Sequence, residues 1–552
     1  MYKIFSSWLF YFMSVHLIAL MFLFVINLKD ILSPFKKISK KTWSILLLIF
    51  IIGFCLRNSQ YWLGPHTDGF VFQESANYWL NQGEFVKCCA LGNIKNCLLY
   101  EQVLFLAGYP FLISLVSILF GFHSLNGPII SAVLGSLTII IIFLISYLIF
   151  NKKVGLYASL IFSLLPLNII HSQTGSSRPT YLFFVGLTIL FYFIALRANK
   201  LSLWILTVLS LSYSIYVRQE NYILLPLLLF FLVLFKWEEI RAIPKNFSLG
   251  KTNYKYILYA FALVLLFLII QIPALYWLLH NNPYIYYDVP GIFGLYYKRI
   301  PYNVQLFLKQ FFNIIPFSPI EEVNQYSIFA TFLFFVGFIL IILSTKVKYI
   351  FILSLFLLYL IFYASFSVDN LFSDDYVRRS LFFHLPYAII AAYTWDWIGN
   401  RIKKRIRIKK EWILSFLALA LIFTSHLSFP RALFKDARGQ IGFNKDYFLA
   451  VSKTPKDSII ITTRFMVVTN DYFKDNQRRA IDIDLISPEN KDMFLNAISE
   501  EIKKNYEIFY FEDYRCQMEH FDYACQFINT YLEKEHLFDV NRIKVYKITL
   551  KI

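Results

Sequence analysis

The stretch GPHTDGFVFQESANYWLNQGEF, residues 64–85, decides the reading of this chain. It comes directly after a strongly apolar run, and its Gly64-Pro65 pair signals a turn. One carboxylate, Asp68, follows the turn, and Glu74 stands about two helical turns further on. Asp68 has two readings. It is a catalytic base at the membrane edge, or a cap for a helix over 70–82, a position that Asp favours. The rest of the chain reads as scaffold, donor site or appendage around this acid.

Composition places the acid in a membrane protein. The chain has 552 residues, 58% of them hydrophobic and 19% aromatic. Soluble domains are roughly 45–50% apolar. A net charge of +18 would suggest nucleic acid in a soluble protein. Its distribution points elsewhere. Residues 430–552 hold 19 basic and 19 acidic side chains, so the excess, 34 basic against 16 acidic, lies among the apolar segments. There it sets topology and meets anionic lipid, and no nucleic-acid partner is expected.

Twelve segments are apolar and long enough to be candidate spans: 8–28, 42–57, 127–150, 154–172, 179–196, 201–217, 221–236, 256–279, 326–345, 349–367, 381–399 and 411–429. The loops 29–41, 151–153, 197–200, 236–256, 346–348 and 400–410 carry 23 Lys and Arg. The opposite loops are longer and carry about ten, so the basic set is read as cytoplasmic. That puts 58–126, 280–325, 368–380 and the tail outside, in a multi-pass cytoplasmic (plasma) membrane protein. Segments 70–82 and 109–121 read as helices along the membrane surface.

The character of the sequence changes at Pro430. Segments 458–463, 480–485, 507–512 and 543–549 read as strands, and 489–504 and 517–535 as helices. This alternation predicts a small extracytoplasmic α/β domain with a largely parallel sheet. The expected organisation is a membrane domain over 1–429, with a large external loop 58–126, and a soluble domain over 430–552. Five of the six cysteines lie outside on this topology, where a disulfide is permitted, and Cys516–Cys525 is one possible bridge.

Several motifs, in order, resemble one superfamily. Residues 68–85 look like the first external loop of the glycosyltransferase C superfamily. The closer similarity is to its polyprenyl-phosphate-mannose protein mannosyltransferase and aminoarabinose transferase (ArnT-like) branch. GYPFLISLVSILFG at 108–121 resembles that branch's Gly-Tyr-Pro amphipathic helix. NKKVGLYASLIFSLLPLNIIHSQTGS at 151–176, YVRQENYILLP at 216–226 and RRSLFFHLPYAIIAAY at 378–393 are similar to later segments of it. There are departures. Gly69 follows Asp68 where many members have Asp-Glu, and SSRPT at 176–180 stands where many carry a second acid.

The resemblance implies an all-α polytopic membrane fold. It also implies transfer of one sugar from a polyprenyl-phosphate-linked donor to an extracytoplasmic acceptor: a protein, a glycolipid or a polysaccharide. The chemistry agrees. A lipid phosphate is a good leaving group, so one base for the acceptor hydroxyl and cations for the departing phosphate suffice. Asp68 is the expected base. Arg378, Arg379, Arg218, Lys298 and Arg299 are the expected phosphate-binding cations, and Glu74 and Glu220 the supporting carboxylates. Arg218 and Glu220 could instead pair with each other. No cofactor or metal ligand is assigned, although a divalent cation is left open. The rival readings are a flippase or transporter for lipid-linked sugars, a polysaccharide polymerase or ligase using a lipid-diphosphate donor, and a non-catalytic glycan-binding relative.

Overall fold

A computed structural model describes residues 2–59, 67–92, 99–102, 106–123, 125–236, 253–280, 298, 300–305, 328–365, 380–406, 446–447, 449–462, 479–483, 491–513, 516 and 522–551. In chain order the membrane region contains α1 (Tyr2–Ile26), α2 (Lys40–Asn58), α3 (Thr67–Gln82), the strands β1 (Val86–Gly92) and β2 (Leu99–Gln102), and α4 (Gly108–Phe120). Then come α5 (Asn126–Ile149), α6 (Lys152–Ser163), α7 (Pro166–Gln173), α8 (Ser177–Ala198), α9 (Leu201–Val217) and α10 (Leu224–Phe235). It closes with α11 (Asn253–His280), α12 (Ile328–Ile342), α13 (Val347–Ser365) and α14 (His384–Ile406).

Eleven of the twelve expected spans coincide with helices, and the segment 411–429 lies outside the described residues. By length and composition, five described helices can each cross a membrane, or six if the bent pair α6–α7 counts as one. Exposed apolar side chains cover α1 and α2, including Tyr11, Ile18, Phe22, Leu47 and Leu48. Such surface suits lipid, and the chain is a membrane protein.

Local chemistry sets the helix starts. Ser39 accepts from the Thr42 amide ahead of α2, and Asn151 accepts from the Lys153 and Val154 amides ahead of α6. Asn151 also donates 2.9 Å to Asp396, tying α6 to α14. The expected single span 154–172 is two half-helices bent by 58°, because Pro166 has no amide to continue the ladder.

The C-terminal region contains β3 (Ile459–Thr462), β4 (Arg479–Asp482), α15 (Lys491–Lys503), β5 (Ile508–Glu512), α16 (Asp522–Tyr531), β6 (Leu532–Val540) and β7 (Ile543–Leu550). All four expected strands form. Two expectations are corrected. The helix expected over 517–535 ends at Tyr531, and Leu532 begins a strand that runs antiparallel to β7. The sheet is mixed rather than largely parallel. β4, β3 and β5 are parallel, while β7 and β6 close one side antiparallel.

The other side of the sheet is closed by the membrane region itself. Strands β1 and β2 form a hairpin within the loop after α3, and β1 pairs antiparallel with β4 through Ala90 and Ile481. The sheet therefore runs β2-β1-β4-β3-β5-β7-β6. Alternate residues face opposite ways. Ile459, Ile461, Ile481, Ile508 and Ile548 pack with Phe494, Ile498, Phe527 and Ile528 of α15 and α16. Ile460, Ala480, Phe509, Phe511 and Val545 face the other way and enclose Tyr78 of α3.

Candidate active site

Asp68 lies in the first turn of α3, and its side chain is outside the described atoms. It stands inside the helix rather than ahead of it, where the amides and dipole of a helix start favour an anion. The helix is enclosed rather than spread on a surface: every residue from Phe72 to Trp79 is buried. Among them are four polar side chains, Gln73, Glu74, Ser75 and Asn77. Buried polar groups of this kind require partners, which makes their surroundings a fixed polar environment.

The neighbouring helix explains the Gly108-Tyr109-Pro110 motif. A Cβ on Gly108 would lie 2.6–2.7 Å from the Tyr216 carbonyl group and the Val217 amide, so only glycine fits. Tyr213 donates 3.1 Å to the Gly108 carbonyl. The Tyr109 hydroxyl lies 2.8 Å from the Gly127 carbonyl and 2.6 Å from Ser131, whose own hydroxyl donates 2.7 Å to the Ser176 carbonyl. Pro110 suits the first turn of α4, where no amide partner is needed. Phe72 of α3 meets Tyr109 edge-on at 5.1 Å. The acid-bearing pair α3–α4 is thus seated on α9 at the two residues directly before Arg218.

Arg218 sits at the junction of α9 with a short 3-10 turn, Gln219–Ile223. Its Nη2 donates 2.7 Å and its Nε 3.2 Å to Glu220 Oε1. Its guanidinium also lies 5.8 Å above the Phe382 ring. Arg178 is the second cation felt by Glu220, and it is buried. Around Phe382 stand Tyr181 at 4.2 Å, Tyr363 at 4.5 Å and Tyr359 at 5.4 Å between ring centroids. The Tyr359 hydroxyl donates 2.9 Å to Asn221, whose amide in turn donates 2.9 Å to the Ser214 carbonyl. Three helices and two turns thus hold a cation–carboxylate pair against an aromatic wall. Both groups keep partial access to solvent, with side-chain exposures of 25% and 18%.

Of the expected site residues, the structure brings Arg218 and Glu220 together and sets Glu74 in the buried face of α3. Lys298 is exposed. Arg299, Arg378 and Arg379 lie outside the described residues, the last two directly before the turn Ser380–Phe383 that carries Phe382.

Sequence reasoning missed one buried cation, Arg57. It is fully enclosed at the end of α2 and donates to the carbonyls of Gly53, Ser163 and Phe162 and to Asn168 Oδ1, at 3.0–3.2 Å. Two glycines were the available signal. A Cβ on Gly53 or Gly135 would lie 3.2 Å or 3.5 Å from its guanidinium nitrogens. From the far end of α7, Gln173 reaches back 2.7 Å to the Leu56 carbonyl near the end of α2.

Residues 107–277 match the family model for dolichyl-phosphate-mannose-protein mannosyltransferase. No curated protein sequence matches the chain. Among solved structures, ArnT from Cupriavidus metallidurans bound to undecaprenyl phosphate is similar at a TM-score of 0.58 and 10% identity, over 92% of this chain and 98% of that one. The oligosaccharyltransferase of Archaeoglobus fulgidus, tethered to an acceptor peptide, is similar at 0.53 and 14% identity, over 93% of this chain and 74% of that one. The same organism's AglB with an inhibitory peptide and a dolichol-phosphate is similar at 0.51 and 11% identity, over 92% and 74%. The chain has the glycosyltransferase C fold and resembles its ArnT-like branch.

Proposed function

We propose that this membrane protein of glycosyltransferase C fold transfers a sugar from a polyprenyl-phosphate carrier to an acceptor outside the cytoplasmic membrane. One observation carries the reading. The helix pair α3–α4, with Asp68 in its first turn, rests through Gly108 on the backbone immediately before Arg218. An acid and a cation cluster are thereby set on one rigid support, the arrangement that this transfer requires. The acceptor hydroxyl oxygen bonds to the anomeric carbon, and the bond from that carbon to the phosphate oxygen breaks. Asp68 takes the hydroxyl proton, and the carrier leaves as its phosphate monoester, which arginines hold.

Arg378 and Arg379, with Arg218, Lys298 and Arg299, are the proposed phosphate ligands. Glu220 and Glu74 orient them and the acid. Where many relatives carry a second acid this chain has Arg178, whose charge reaches Glu220, and the proposed mechanism uses one base. Undecaprenyl phosphate and dolichol-phosphate in the similar structures support a lipid-linked donor.

Two observations support the external placement of the site. The loop strand β1 pairs with β4 of the C-terminal sheet, so loop and tail share one side of the membrane. That tail holds a Cys516–Cys525 disulfide, which an oxidising compartment sustains.

The test is mass spectrometry of glycans and glycolipids from cells with and without the gene. Loss of a single-sugar increment from one acceptor class is expected. A change in polymer length alone would favour a polymerase with a lipid-diphosphate donor. An unchanged glycan profile would overturn the reading.

A further inference from the structure

Tyr78 belongs to the acid-bearing helix α3, yet it is fully buried in the core of the C-terminal sheet. Its companions there are Tyr447, Val451, Ile460, Ala480, Phe509 and Phe511. Next to it, Trp79 points into the membrane core. Its Nε1 donates 2.9 Å to the Ser6 carbonyl of α1, and its ring meets Phe10 edge-on at 5.2 Å. The chain leaving α3 is also caught on both sides. The Phe85 amide donates 3.3 Å to Ser6 Oγ, and β1 then joins β4. The two ends of the polypeptide therefore grip one helix.

We propose that the C-terminal sheet is a positioning element of the transfer site, acting on α3 through Tyr78 and the β1–β4 pairing. The proposal rests on the transfer reading given above. Asp68 stands ten residues before Tyr78, about 15 Å along the helix axis. A rigid helix anchored at Tyr78 fixes the direction in which its first turn points. Catalytic groups misplaced by about an ångström lose on the order of 100-fold in rate, so this anchor controls turnover. Tyr78 is a positioning residue and touches no substrate in this account.

The experiment uses the full chain in nanodiscs. Amide hydrogen exchange is followed by mass spectrometry for wild type, Tyr78→Ala, Tyr78→Leu and Tyr78→Phe. Local opening is read by the peptides that lose protection. Tyr78→Ala should exchange about tenfold faster across 67–82 and 86–92, with 126–149 and 177–198 unchanged. Tyr78→Phe should restore protection. Binding of undecaprenyl phosphate should be the same in all four. With a working transfer assay, kcat should fall about tenfold in Tyr78→Ala while the donor KM holds.

Unaltered exchange across 67–82 in both Tyr78→Ala and Tyr78→Leu overturns the proposal. Should Tyr78→Ala lose protection everywhere, Tyr78→Leu decides by the same comparison. If wild type binds no undecaprenyl phosphate, the transfer reading fails instead, and the exchange result still reports whether the sheet holds α3.

Discussion

The Arg57 guanidinium donates 3.2 Å to the carbonyl of Phe162, the one carbonyl whose helical partner would be the missing amide of Pro166. Arg57 also takes the Ser163 carbonyl, at 3.1 Å. A side chain from α2 thus adds to the hydrogen bonding at the break between α6 and α7, where the Leu165 amide also reaches Phe162, and a cation at the carboxyl end of α6 suits its dipole.

Removing that side chain takes the Arg57 donor from the Ser163 carbonyl, while the Phe162 carbonyl keeps the Leu165 amide at 3.3 Å. Arg57→Leu should cost roughly 1–3 kcal/mol for the carbonyl left unsatisfied. Arg57→Lys should be intermediate, because an ammonium lacks the planar fork. Thermal unfolding in detergent checks the order wild type, Lys, Leu. Equal midpoints for wild type and Arg57→Leu would show that this carbonyl finds another donor.

Asp68→Asn separates base from helix-start residue. Loss of a general base costs about 10²–10⁴-fold in rate. Asparagine keeps the polar side chain but loses the charge that a helix start favours, so thermal stability should fall by no more than about 1 kcal/mol. Transfer by the purified variant at near wild-type rate would remove Asp68 as the base.

For the donor phosphate, Arg378→Lys should raise the KM for the lipid-phosphate donor and leave the unfolding midpoint unchanged. A bidentate guanidinium–phosphate contact does not survive replacement by a point charge. Arg218→Lys should behave differently. It breaks the two-nitrogen grip on Glu220, so its midpoint should fall as well. Donor kinetics unchanged in Arg378→Lys and Arg379→Lys, tested separately, would move the site towards Lys298 and Arg299.

Sidedness is checked with a membrane-impermeant thiol reagent on intact cells. After reduction, the half-buried Cys516 should label, whereas the cysteine of Lys404→Cys should stay silent until the cells are opened. The reverse pattern would invert the topology.

The C-terminal sheet has an acid limb built in. Glu501 is buried, and burial raises its carboxyl. Hydrogen bonds at 2.8 Å from Arg479 and Lys504 outweigh this and hold it below the ordinary 4.5. The unfolded chain then binds the proton more readily than the folded one. The contribution is present above about pH 4.5 and is lost as pH falls through the lower folded value. Glu501→Gln should flatten the fall in stability below that pH, followed by the circular dichroism of the sheet during acid titration.

Legibility followed the range of the interactions. Apolar runs such as 127–150 and 179–196 revealed their helices, because hydrophobic length is a local property. The strand Ile459–Thr462 was visible as a short β-branched run buried on both faces. The hairpin β1–β2 was not. Its pairing partner Ile481 is far away in sequence, and CCALG alone does not specify a strand. Arg57 looked like one more charge at a helix end. Its role depends on Phe162 and Ser163, a hundred residues on. The aromatic wall of Tyr181, Tyr359, Tyr363 and Phe382 was hidden among the chain's many aromatics.

The β1–β4 pairing also sets an order of events during biosynthesis. Ala90 leaves the ribosome about 390 residues before Ile481. At roughly 5–20 residues per second, the hairpin waits about 20–80 s for its partner strand. Through that interval β1 offers an open row of amides and carbonyls to any other extended chain nearby. The strand β4, made long after the hairpin, is the one that closes it. A chain cut short before β4 would keep most of its membrane helices and carry a permanently unsealed edge. Truncated products of this gene are therefore expected to be degraded rather than to accumulate as partial chains.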